Sequence, residues 1–144
     1  MNYTIAICIP TFLRDNLLYK TIQTIVESRT QDSIILIADQ GYSSTEKIIN
    51  MDYFKSQLSL EYYQLPFDCG LATVRNFLVQ KASEMSIPYC LMSIDSIQFK
   101  ETYTFEPLFK DLDNNIIINF KLKKVESMAL QHIFLTKTDI LKNL

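Results

Sequence analysis
The chain opens with four short strand-like runs, Tyr3–Pro10, Ser33–Ala38, Leu60–Leu65 and Tyr89–Ile94, separated by longer segments whose apolar residues recur three or four positions apart. The short runs predict strands and the periodic segments predict helices. Pro10 would end the first strand's ladder. Asp15 is a candidate N-cap for a helix reaching about Ser28, with Leu18, Ile22, Ile25 and Val26 on one face. Ser33–Ala38 is apolar throughout, as expected of a strand covered on both faces. Ser43-Ser44-Thr45-Glu46 reads as a capping box, starting a helix that turns Ile48, Met51, Phe54 and Leu58 inward. The third helix, about Leu71–Met85, has the cleanest period: Leu71, Val74, Leu78, Ala82 and Met85.

Strand and helix alternate through all four runs, the order that gives a parallel sheet with helices on its faces. The expected class is therefore α/β. After Phe99 the rhythm changes. Thr104–Leu112 predicts a short helix, and Asn115–Leu122 and Met128–Thr136 predict two further strands, joined through Lys123-Lys124-Val125-Glu126-Ser127. Lys137–Leu144 has the character of a helix start. With 144 residues and no repeat or low-complexity segment, the chain reads as one domain, 1–144.

Each strand runs into polar or charged residues, and the stretch from Tyr89 to Phe99 is the focus. Tyr89-Cys90-Leu91-Met92 leads through Ser93-Ile94 to a single carboxylate, Asp95. The first strand runs into Thr11-Phe12-Leu13-Arg14, the second into Asp39, and the third into Pro66-Phe67-Asp68-Cys69-Gly70. If the strands are parallel and adjacent, these four loops meet in one crevice, the place where open α/β sheets hold their ligands.

Composition narrows the chemistry. A formal charge of −2, with Lys123-Lys124 as the only basic doublet, offers no field for nucleic acid or anionic lipid. Cys8, Cys69 and Cys90 are scattered and lack metal-ligand spacing; buried thiols in a reducing compartment are expected, and no apolar stretch approaches 18 residues. A cytoplasmic protein, or a domain facing the cytoplasm, is the expectation. The chain contains only two glycines, Gly41 and Gly70, so it cannot build a glycine-rich phosphate cradle. Both glycines lie in strand-end loops, where the backbone must turn sharply or approach a ligand closely, a plain turn being the alternative. A bound diphosphate would have to be neutralised by a divalent cation or by Arg and Lys side chains. Asp95 suits a cation shared with substrate phosphates, Asp39 a hydrogen bond from a nucleobase or sugar, and Arg14 and Arg75 contacts to phosphate or base.

These segments resemble the family 2-type glycosyltransferases of the GT-A fold. Ile5–Arg14 is similar to their opening strand and loop, and Ile35-Leu36-Ile37-Ala38-Asp39 to a second strand ending in a base-binding aspartate. Pro66–Asn76 resembles their glycine–helix segment ending in Arg-Asn, and Tyr89–Phe99 stands where they carry a DxD segment. Thr-Phe-x-Arg, Pro-Phe-x-x-Gly and the late Phe134–Asp139 are closest to the β-1,4-N-acetylgalactosaminyltransferase branch. The resemblance implies a mostly parallel, Rossmann-like sheet of the nucleotide-diphospho-sugar transferase type, with residues 1–99 as the donor-binding part. It further implies a UDP-sugar donor, a glycan or other hydroxyl acceptor, hexosyl transfer, and a divalent cation, Mn²⁺ or Mg²⁺. By position, Thr11, Arg14, Asp39, Gly70, Arg75 and Asn76 would bind the nucleotide-sugar and Asp95 the metal.

The departures are specific. Ile94-Asp95-Ser96 holds one carboxylate where the family has two or three, a weaker cation site. Relative to the family, the chain ends where the acceptor-binding part begins, so the catalytic base has no counterpart and would come from a separate domain or a second copy. Glu126 and Asp139 are the acids of the tail, and nothing in their spacing aims them at the crevice. Plainer roles stand beside these. Asp39 and Asp95 could cap helices, Arg75 could pair with Asp68 or Glu84, and Asn76 could be a surface residue. His132 is expected to be structural, and most aromatics fall at core periods. The alternative to an enzyme is a non-catalytic nucleotide-sugar-binding or scaffold domain with a degenerate metal site.

Overall fold
The computed structural model describes residues 2–28, 32–99, 106–112, 117–119 and 134–142. The four expected strands form as β1 (Ile5–Thr11), β2 (Ser33–Asp39), β3 (Leu60–Gln64) and β4 (Tyr89–Met92). The helices between them are α1 (Asp15–Ser28), α2 (Thr45–Gln57) and α3 (Leu71–Glu84). A short α4 (Glu106–Asp111), β5 (Ile117–Asn119), β6 (Phe134–Lys137) and α5 (Thr138–Lys142) follow. Lys123, Lys124, Glu126 and His132 lie outside the described residues, so the expected link and the role of the histidine are not addressed.

The sheet order is β3-β2-β1-β4-β6-β5. The first four strands are mutually parallel, with Thr11 opposite Asp39 and Asp39 opposite Gln64, so their carboxyl ends lie side by side. β6 runs antiparallel to β4, and β5 antiparallel to β6. The chain builds outward from β1 to β3, then returns to the other side of β1 to add β4. The β1–β4 boundary is therefore the topological switch point, where such sheets open a crevice at their carboxyl ends.

Period-two alternation divides the core. Ile5, Ile7, Ile9, Ile35 and Ile37 face one side, with Leu18, Ile22 and Ile25 of α1 and Met51 and Phe54 of α2. Ala6, Cys8, Ile34, Leu36 and Cys90 face the other, against Val74, Leu78 and Ala82 of α3. Both faces of β1 and β2 are covered, which is why these strands show no polar alternation. Cys8 and Cys90 are buried free thiols inside this packing.

Several side chains differ from the expected stripes. Leu71 and Met85, at the two ends of α3, are 48% and 40% exposed, because the stripe projects past the sheet there. Ile48 is also exposed, and Lys47 takes the inward place that had been expected for it. The buried row of α2 is Lys47, Met51 and Phe54, with Leu58 packed against the core beyond it. Ser44, not Ser43, is the N-cap, its hydroxyl oxygen accepting from the Lys47 amide. Asp15 likewise is not the cap of α1, since the Arg14 carbonyl accepts the Leu18 amide and Asp15 is the helix's first residue.

Packing of this kind predicts a contrast on one helix. Met51→Ala, at a site 2% exposed, should cost about 2–5 kcal/mol of stability. Ile48→Ala should stay within about 0.5 kcal/mol of wild type. Urea denaturation of the two variants measures both, and equal losses would place Ile48 in the core.

Candidate functional site
The site begins with the hydrogen bond that closes the switch point. The Thr11 hydroxyl at the end of β1 donates to Asp95 Oδ2 at 2.8 Å, joining residues 84 positions apart. Arg14 Nη1 lies 3.6 Å from Asp95 Oδ1. The segment after β4 is further tied to α1: the Thr21 hydroxyl donates to the Asp95 and Ile97 carbonyls, and the Phe99 amide donates to Thr24. Burial pushes the Asp95 carboxyl above its ordinary value; the Thr11 hydroxyl, the Arg14 charge and the backbone amides of Asp95 and Phe12 oppose that shift.

A second charged cluster sits at the end of β2. Asp39 has no exposed surface. Its Oδ1 accepts the Gly41 amide at 2.7 Å, and its Oδ2 accepts Lys47 Nζ at 2.7 Å and the Tyr62 hydroxyl at 2.6 Å. Lys47 Nζ also donates to the Tyr42 carbonyl at 2.6 Å and pairs with Asp15 at 3.1 Å. Burial pulls the Lys47 ammonium down, but the Asp39 and Asp15 carboxylates outweigh it and hold its pKa above the usual lysine value. Burial, and then the Asp39 charge, push the Tyr62 phenol well up. Asp39, expected to present an open carboxylate, is thus enclosed by three donors of its own chain.

The two glycines are constrained for different reasons. A Cβ on Gly41 would stand 3.0 Å from Asp39 Oδ1 and 3.3 Å from the Leu13 amide nitrogen, so this is a close approach of two loops. Gly70 has φ +100°, a conformation that side chains other than glycine rarely adopt. Gln40, which sequence reasoning missed, stitches the loops together: its amide donates to the Thr11 carbonyl, its side-chain oxygen accepts the Gly70 amide, and its carbonyl accepts the Asp68 amide.

Three aromatic side chains from three of these loops meet at the rim. Tyr42 and Phe67 stack with centroids 4.4 Å apart, and Phe12 meets Phe67 edge-on at 5.4 Å. Tyr42 is 66% and Phe67 48% exposed, so this cluster belongs to the surface and not to the core periods. Exposed aromatic faces at strand ends can stack a planar base. Each follows a strand end closely in sequence, but that signal has no meaning until the strands are adjacent.

Arg75 lies on α3 with its Nε buried and without a hydrogen-bond partner among the described atoms. The pairings considered for it are not made: Glu84 instead meets Lys81 at 3.3 Å. Asn76 is exposed on α3 and is not drawn into either charged cluster. The structure therefore unites Thr11, Arg14 and Asp95 in one cluster and Asp39 with Lys47 and Tyr62 in another, with Gly70 bonded to Gln40 between the loops.

Among the described residues no group of three or more His, Cys, Asp or Glu side chains could hold a metal ion. Of the Asp95 oxygens, Oδ2 accepts the Thr11 hydroxyl and Oδ1 lies 3.6 Å from Arg14 Nη1, an ion pair without a hydrogen bond. Magnesium and manganese favour several oxygen ligands in near-octahedral array. No helix among the described residues is long and apolar enough to cross a membrane.

No protein-family profile matches the chain, and no curated protein matches it by sequence. Solved structures do. Residues 1–349 of S. aureus TarS, in complex with UDP-GlcNAc, superpose with a TM-score of 0.76 at 13% identity, covering 99% of this chain and 47% of that one. The mannosyltransferase PcManGT from Pyrobaculum calidifontis, in complex with GDP-Man and Mn²⁺, gives 0.73 at 11% identity, covering 99% and 47%. GalNAc-T7 with UDP, GalNAc and Mn²⁺ gives 0.68 at 12%, covering 96% and 35%. The chain thus has the GT-A, nucleotide-diphospho-sugar transferase fold, with its central sheet flanked by helices. It spans about half the length of the TarS structure bound to UDP-GlcNAc.

The Lys47 cluster generates a stability prediction. Lys47→Met strands the buried Asp39 carboxylate, which should cost about 3–5 kcal/mol. Because the lysine pKa is raised by folding, its contribution is fully present below the unfolded value and disappears as pH rises through the folded one. Thermal melts from neutral pH into the alkaline range should show wild type converging on the variant. A constant gap across that range would remove Lys47 from the account.

Proposed function
We propose that this chain binds a nucleoside-diphosphate sugar at the carboxyl ends of β1–β4, as the donor half of a glycosyltransferase. The observation that carries the reading is that the Thr11–Asp95–Arg14 cluster and the Phe12, Tyr42 and Phe67 rim both lie at the carboxyl ends of the parallel strands and share the loop after β1. The base would stack on the aromatic rim. Arg14 and Arg75 would meet the diphosphate, and Gly70 would bring the start of α3 close. Asp39, with no exposed surface, supports the base end by holding Gly41 and the Tyr42 carbonyl in place through Lys47. The expected preference is for UDP, on the resemblance to UDP-sugar-dependent glycosyltransferases and not on a base contact from the enclosed Asp39; the N-acetylgalactosaminyl branch rests on sequence motifs alone.

In sugar transfer to a glycan or other hydroxyl, charge develops on the departing diphosphate, and positioned cationic side chains stabilise it. Arg14 is the group of this chain best placed to do so. Transfer also requires an oriented acceptor and a base, which a further domain or a second copy would supply. The unusual donor set around Asp95 favours a second reading, a nucleotide-sugar-binding module that does not transfer.

Two measurements test these readings. Calorimetry with UDP, GDP and ADP should find UDP tightest, and Phe67→Ala should weaken it by about 1–3 kcal/mol. Absence of binding by all three nucleotides would end the donor-site reading. Incubation with radiolabelled UDP-sugars and a panel of acceptor glycans then separates the enzyme, which forms glycoside, from the binding module, which forms none.

A further inference from the structure
We infer that Arg14 replaces the divalent cation in this site, so that the guanidinium neutralises the donor's diphosphate directly and binding needs no metal. The inference rests on the donor-site reading given above, but it concerns a different part of the ligand.

The environment of Asp95 carries it. A metal-binding carboxylate must turn lone pairs toward an ion. Here Oδ2 receives the Thr11 hydroxyl proton at 2.8 Å and Oδ1 faces Arg14 Nη1 at 3.6 Å, so an ion on Oδ1 would sit against a like charge. Asp95 stands alone as a carboxylate in Ile94-Asp95-Ser96, and the described residues offer no cluster of metal ligands to complete a shell. Its remaining use is to hold the end of β1 and its loop. Thr11, the Phe12 amide and Arg14 all converge on it from that one segment.

Arg14 has the complementary property. The Asp95 side chain is 8% exposed, whereas that of Arg14 is 53% exposed. At 3.6 Å through one nitrogen, the pair is not a bidentate fork, and most of the five guanidinium N–H donors stay open to a ligand. Among the described residues Arg14 makes no other ion pair. Lys47, a second cation close to the strand ends, is already bound by Asp39 and Asp15 and is 2% exposed. A guanidinium matches two phosphate oxygens geometrically, which a lysine point charge does not. With only two glycines in the chain, backbone cradling cannot supply the missing charge. Thr11 and Asp95 are then positioning residues, and Arg14 touches the diphosphate where the cation would stand, with Arg75 a further contact from α3.

The test is calorimetric titration of the whole chain with UDP and with uridine, each in excess EDTA and in excess Mn²⁺. UDP affinity should agree between the two buffers within about threefold, well under the tenfold that 1.4 kcal/mol represents. Arg14→Met should weaken UDP by about tenfold or more in both buffers and leave uridine unchanged, since a charged hydrogen bond to phosphate is worth about 1.5–3 kcal/mol. Arg14→Lys should recover part of the loss. Circular dichroism checks that these variants remain folded at the titration temperature. UDP binding that EDTA weakens tenfold or more overturns the inference while the donor site stands, as does UDP affinity unchanged in Arg14→Met. Loss of uridine along with UDP in the folded variant overturns it too, by showing a general disturbance of the site. If neither UDP nor uridine binds wild type in either buffer, the donor-site reading and this inference fall together.

Discussion
A carboxylate with no exposed surface at the end of a central strand is the constraint from which much of this structure follows. Asp39 is 0% exposed, and an ionised group so placed is tolerated only when it is paired and hydrogen-bonded. Three neighbours meet that demand, and each fixes a different element. Lys47 sets the inward row of α2, Tyr62 draws β3 alongside β2, and the Gly41 amide folds the loop after β2 back on its own strand. Lys47 also reaches Asp15, so the start of α1 is drawn into the same cluster. Such a cluster is weak evidence for net stability but a strict condition on geometry, because each group left over would be a buried charge or an unpaired donor.

The two strand-end aspartates have diverged in role. Asp39 is enclosed and organises the loops around it; Asp95, 6% exposed, ties β4 to β1 across the switch point and keeps one half-exposed arginine as its partner. Charge is thereby arranged in layers, with the carboxylates inside and a guanidinium at the surface. Arg14 and the exposed rings of Tyr42 and Phe67 at the strand ends are the features on which the proposed nucleotide-sugar site rests.

Legibility in the sequence followed the range of the interaction. The four parallel strands and the three helices between them could be read to within a residue or two, because periodicity and capping are local properties. The inward turn of Lys47 was also present as a spacing, 47, 51, 54 and 58, but residue type pointed to Ile48 instead. The apolar residue lost that place because an ammonium with two carboxylates to meet is better served inside than out. At the site, Thr11, Arg14 and Asp95 were recognisable as residues at strand ends. That they form one hydrogen-bonded cluster was not, and neither was the aromatic rim, since Phe12, Tyr42 and Phe67 come from three separate loops.

What the chain alone determined, then, was the succession of elements and the coverage of β1 and β2 on both faces. Tertiary structure decided the order in which strands lie beside one another, the antiparallel addition of β6 and β5 beyond β4, and the partners of every charged group in the crevice. The physical reason is distance along the chain. A helix stripe is written within a dozen residues, whereas the bond from Thr11 to Asp95 joins positions 84 apart and exists only once β4 has returned to lie against β1.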